Sequence, residues 1–192
     1  MTCGSKPSPR SPMERIIKLA MAFPGLLFEG QMDLNKSRML IVGLGNPILG
    51  DDGVGWKVAE EVRKQLPPDA PVDVVCLSLG GISLMEYLIG YQRAVLIDAF
   101  ALDEPLGSIL ILKLSDLPNY SAFHTTNAHD TSLQNAIEFG RSMGAQLPEE
   151  VEIVGIATRR IYDFSEELSS PVADAVPFAA RVVLDLLKQA IR

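Results

Sequence analysis

The alternation of apolar and polar residues becomes regular only from Met39 onward. Met39-Leu40-Ile41-Val42 is a continuous apolar run closed by glycines, which predicts a strand covered on both faces. Val54, Val58, Val62 and Leu66 recur at a four-residue spacing and predict a helix that stops at Pro67-Pro68. Val72 to Leu77 reads as a second strand, and Ile82 to Ile89 as a short helix closed by Gly90. Ala94-Val95-Leu96-Ile97 reads as a third buried strand that ends at Asp98. Ile109 to Leu114 reads as a fourth, reached through a short segment holding Pro105 and Gly107. A parallel crossover needs about a dozen residues, so this fourth strand is expected to run antiparallel. Thr131 to Met143 reads as a helix, with Thr131 and Gln134 spaced as a capping box. Val151 to Ala157 is the fifth strand. The last helix is expected to start with Ser170 as N-cap and Pro171 at its first position. It runs to Ile191, with a kink or restart at Pro177.

The order βαβαββαβα predicts an α/β fold. We expect a three-layer αβα sandwich on a mostly parallel five-stranded sheet with one antiparallel strand. Residues 1–37 are rich in Ser, Pro, Gly and Met and show no sustained period, so they read as a poorly ordered N-terminal extension. Residues 38–192 read as a single domain. The apolar stretch Leu19 to Phe28 contains Pro24 and Gly25 and falls short of the about 20 residues that span a bilayer. No Ala-x-Ala-like cleavage site follows it, and a cytoplasmic protein is expected.

Composition narrows the function classes. Hydrophobic residues make up 47% and charged residues 21% of the 192-residue chain, which suits a globular domain. The net charge of −7 is an average over two unlike parts. Residues 1–37 hold five Lys or Arg against three Asp or Glu, whereas residues 38–192 hold 12 against 21. That sign opposes generic binding to nucleic acid. Two cysteines, Cys3 and Cys76, cannot make a disulfide scaffold or a Cys-based zinc site, and two histidines exclude a polyhistidine metal centre.

In doubly covered sheets, ligands gather beyond the carboxyl ends of the strands, so polar residues just after strands carry the functional signal. The first strand leads into Gly43-Leu44-Gly45-Asn46-Pro47-Ile48-Leu49-Gly50-Asp51-Asp52-Gly53-Val54-Gly55. A dinucleotide fingerprint fails here, because Ile48 stands at the third glycine and two carboxylates would repel a pyrophosphate. A helix N-cap accounts for one of Asp51 and Asp52 but not for both. Asp98 closes an apolar strand and must be hydrogen-bonded, paired or metal-bound, and Asp103 farther along that loop reads as solvated. His129 stands before a helix, and two carboxylates with one imidazole can hold a divalent transition metal. His124 competes with it on spacing alone. Cys76 reads as a buried small hydrophobe and Trp56 as packing beside the first helix. Ser78 and Ser83 lack a nucleophile elbow, and Arg159-Arg160 reads as a solvated loop pair.

The segment Met39 to Gly55 resembles the opening of the [NiFe]-hydrogenase maturation endopeptidases. The likeness continues through Gly80-Gly81, Met85-Glu86, Ile97-Asp98-Ala99, His129 with Leu133, and Val154-Gly155-Ile156, covering roughly residues 39–190. It implies a phosphorylase/hydrolase-like fold and a protease that trims the C-terminal extension of a nickel-loaded hydrogenase large-subunit precursor. It places the catalytic and metal-binding set on Asp52, Asp98 and His129, favouring His129 over His124, with nickel presented by the precursor and no organic cofactor. Departures occur at Leu79, Ile82, Asn127 and Gly155-Ile156-Ala157-Thr158, in loops expected to touch the substrate.

The expected partner is thus the precursor rather than nucleic acid or membrane, with a monomer favoured. Two rival readings remain. Gly43-Leu44-Gly45-Asn46-Pro47 also resembles the start of peptidyl-tRNA hydrolases, but no histidine follows before His124. A non-catalytic nickel-sensing protein on the same fold is the other.

Overall fold

A computed structural model describes residues 39–117, 132–159 and 164–190. The extension 1–37, both histidines, Arg160 and the predicted cap at Thr131 lie outside the described residues.

Five strands form one sheet in the order β2-β1-β3-β5-β4, where β1 is Met39–Leu44, β2 Val72–Leu77, β3 Arg93–Ala101, β4 Ile109–Lys113 and β5 Glu150–Thr158. The first three and β5 are mutually parallel, from Met39 opposite Val72 and Arg93 to Ala101 opposite Thr158. β4 runs antiparallel to β5, with Ile109 opposite Ile156. It lies beyond β5, so the strand that follows β3 in sequence is not its neighbour in space. Gly107 makes the turn at a φ of 82°, and its amide donates to Ala157 O at 2.9 Å.

The four helices of the described residues are α1 (Val54–Gln65), α2 (Gly81–Leu88), α3 (Leu133–Ser142) and α4 (Ser170–Ala190). Side chains alternate along each strand, so the apolar runs feed two layers. Met39, Ile41, Val95, Ile97 and Val154 face α1 and α4, packing on Val58, Val62, Val172 and Val183. Leu40, Val42, Leu96 and Ile153 face α2 and α3, packing on Leu84, Leu88, Leu133 and Ile137. The predicted three-layer sandwich is therefore observed. Among the described residues no helix is long and apolar enough to cross a membrane.

Three boundaries differ from expectation. β3 does not end at Asp98 but continues to Ala101, because β5 keeps pairing with it after β1 has left. α3 is capped by Ser132, whose side chain accepts from Asn135 N at 3.3 Å. Gln134, the described half of the predicted box, donates through its side chain to Leu117 O at 2.5 Å. α4 starts one residue early: Ser169 O accepts from Ala173 N at 2.8 Å, which makes Ser169 its N-cap. The helix then runs unbroken through Pro177.

Candidate active site

The loop from β1 to α1 folds back on itself. Gly45 adopts a φ of 128°, and a Cβ there would fall against the carbonyl oxygen of Asp52. A Cβ on Gly53 would come within 2.9 Å of Pro47 Cα. Only glycine lets the two ends of this loop touch. Asn46 closes a local turn by accepting from Ile48 N at 3.2 Å through its side chain, and its own amide donates to Asp52 Oδ2 at 2.7 Å. The neighbouring β2 loop adds a brace, since Ser78 Oγ donates to Gly45 O at 2.6 Å. Ser78 is thus a structural hydroxyl.

The two adjacent aspartates have different surroundings. Asp51 is 6% exposed, and its carboxylate accepts from Ser169 N at 2.6 Å and Ser169 Oγ at 2.8 Å. It caps α4, a helix 118 residues away in sequence, and not the short 3-10 turn Gly50–Gly53 in which it sits. Asp52 is half-buried, and its carboxylate accepts from the backbone N–H of Asn46.

Asp98 is fully buried, with Oδ1 accepting from Ala99 N at 2.9 Å. It shares a sheet face with Leu96 and Phe100, next to Gly155 of β5. The last β1–β3 pair is Gly43 with Ile97, so Asp98 is the first β3 residue past the end of its pairing with β1. Close packing carries that loop to it. A Cβ on Gly55 would strike the carbonyl oxygens of both Leu44 and Ile97, so the first turn of α1 lies directly across the ends of β1 and β3. Asp52, three residues before Gly55, and Asp98, one residue after Ile97, therefore belong to one edge of the sheet. Among the described residues no three His, Cys, Asp or Glu side chains gather as a metal-holding group. His129, the expected third donor, lies outside them.

The remaining candidates take structural roles. Trp56 Nε1 donates to Leu77 O at 3.1 Å and ties α1 to β2. Burial pushes the Cys76 thiol above its ordinary pKa, the wrong direction for a nucleophile. Asp103 and Arg159 are exposed, as expected. Sequence reasoning missed Asn46, Ser78 and Ser169. An Asn before a Pro-containing glycine loop is a local signal for the first, whereas the other two act through contacts 33 and 118 residues away.

A doubly covered, mostly parallel sheet with Asp52 and Asp98 at its carboxyl-end edge defines an open α/β fold whose candidate site lies where such sheets hold ligands. The chain belongs to the hydrogenase maturation protease family, whose model matches residues 38–186. A putative hydrogenase maturation protease of Methanocaldococcus jannaschii is 28% identical over 160 residues, covering 81% of this chain and 100% of that one. The hydrogenase expression/formation protein HupD of Rhizobium leguminosarum is 22% identical, covering 79% and 74%. Among solved structures, the hydrogenase maturating endopeptidase HybD of E. coli shares the fold, with a TM-score of 0.63, 21% identity and coverage of 80% and 93%. A hydrogenase 2 maturation peptidase from a Thaumarchaeota archaeon aligns with a TM-score of 0.59 and 29% identity, covering 79% and 98%.

Proposed function

We propose that this protein is an endopeptidase that removes a C-terminal extension from a nickel-loaded [NiFe]-hydrogenase large-subunit precursor. The observation that carries the reading is the packing of Gly55 on the ends of β1 and β3, which brings the Asp52 loop to the edge that holds Asp98. Family membership supplies the reaction class. Nickel is part of the substrate in this reading, and two carboxylates with the imidazole of His129 are a donor set suited to Ni(II). Binding of that nickel by Asp52, Asp98 and His129 would hold the neighbouring peptide bond in register for attack. One carboxylate takes the proton of the attacking water, the C–N bond breaks, and the proton passes to the leaving amine.

The test is to incubate the protein with nickel-loaded and nickel-free precursors and read the C-terminal mass. We expect a short tail to be lost from the loaded form alone. Asp52→Asn, Asp98→Asn and His129→Ala should each reduce cleavage by at least about a hundredfold, with the circular dichroism spectrum unchanged. Wild-type cleavage rates in all three variants would overturn the site. A protein that binds the precursor and leaves it full-length would be a nickel sensor instead, and release of peptide from peptidyl-tRNA would favour the esterase reading.

A further inference from the structure

Ile48 and Phe164 are large apolar side chains left 47% and 83% exposed. They lie in the loops that follow β1 and β5, beyond the carboxyl ends of two parallel strands. The two loops are pinned together. Leu49 and Ser165 form an isolated parallel bridge, Ser165 N donates to Ile48 O at 3.0 Å, and Gly50 N donates to Ser165 O at 2.6 Å. A turn at Ser165 Oγ, which accepts from Glu167 N at 3.0 Å, and the clasp of Asp51 on Ser169 fix the following residues. The bond from Ser165 N to Ile48 O holds the residues one step back from the bridge, Ile48 and Phe164, next to each other, and both are exposed. Asp52 is four residues further along the same strap, and Glu166 and Glu167 are exposed beside Phe164.

We propose that Ile48 and Phe164 form an apolar step that docks an extended segment of the precursor chain, one carrying an apolar side chain with a cationic side chain next to it. This inference rests on the protease reading above. The backbone under the step is already ordered by hydrogen bonds, so binding there has little loop-ordering entropy to overcome. An aromatic–aliphatic pair at the edge of a site supplies the desolvated contact that dominates peptide affinity, and the two glutamates set the sign of its neighbour. A second copy of this chain fits poorly, because a two-fold contact through the step would bring each copy's Glu166 and Glu167 toward their equivalents.

The experiment measures the dissociation constant for the nickel-loaded precursor and, separately, its cleavage kinetics. The proteins compared are wild type, Phe164→Ser, Ile48→Ser, the double variant Glu166→Gln/Glu167→Gln, and Phe139→Ser as an exposed apolar control on α3. We expect Phe164→Ser and Ile48→Ser each to raise Kd and KM roughly fivefold or more, with kcat within about twofold of wild type. The glutamate variant should flatten the dependence of binding on salt, and Phe139→Ser should match wild type. Unchanged Kd in both step variants overturns the docking step and leaves the protease reading intact. Weakened binding of a precursor that wild type holds and never cuts supports the step and overturns the protease reading. Variants that lose only self-association, with unchanged Kd, overturn it in favour of a dimer contact.

Discussion

Asp51 and Asp52 are chemically identical neighbours with different partners, and that difference is decided by where each carboxylate points. Asp51 is buried against the N-terminus of α4, where the unpaired amides and the helix dipole favour a negative charge. Asp51→Ala would leave the Ser169 amide and hydroxyl without their acceptor and should cost about 1–3 kcal/mol in urea unfolding. Ser169→Ala removes only the hydroxyl bond and should cost less, and the double variant should fall short of the sum of the two. An additive double variant would show that the two groups do not act as a pair. Some of this was legible in the sequence: a carboxylate closing an apolar run at Asp98, though not its place inside β3, and an acidic pair too numerous for one cap were visible as chemistry. What the acidic pair grips was not legible, because Ser169 is 118 residues away from Asp51.

At the scale of elements, glycine decides how closely α1 approaches the sheet. A Cβ at Gly43 would lie 2.7 Å from Ala59 Cβ, and one at Gly55 would press on the carbonyls of Leu44 and Ile97. Gly55→Ala should therefore lift the first turn of α1 off the strand ends. We expect a loss of about 1–3 kcal/mol in stability, and a fall in cleavage rate larger than thermal destabilisation alone explains. Full activity in a destabilised Gly55→Ala protein would separate the packing from the site. The glycines were legible in the sequence as a loop signal, but their contact partners across the fold were not. Strand and helix identities followed from apolar period, which local sequence sets. Their ends did not. Asp98 stands inside β3 because β5 outlasts β1 as its partner, and α4 is capped at Ser169, where the distant Asp51 accepts from its amide. Both are tertiary effects on local preference.

The described residues form two apolar layers that share one sheet, and β3, at its centre, feeds both. Leu96 belongs to the layer under α2 and α3, and Ile97 to the layer under α1 and α4, both fully buried one residue apart. If the layers are thermodynamically one unit, a cavity in either must weaken the whole fold by the same route. Leu96→Ala and Ile97→Ala should each lower stability by about 2–5 kcal/mol. Each should unfold in a single denaturant transition, with far-UV circular dichroism and Trp56 fluorescence coincident and an unchanged slope. Trp56 reports on the α1 side through its bond to Leu77, so it gives the comparison its resolving power. A variant whose Trp56 signal moves apart from its far-UV signal would show that one layer can open alone. Because Asp98 follows Ile97 directly on β3, an independent opening of the α1 layer would also loosen the edge that carries both carboxylates. Cooperative unfolding of both layers would mean that the edge stays ordered wherever the fold does.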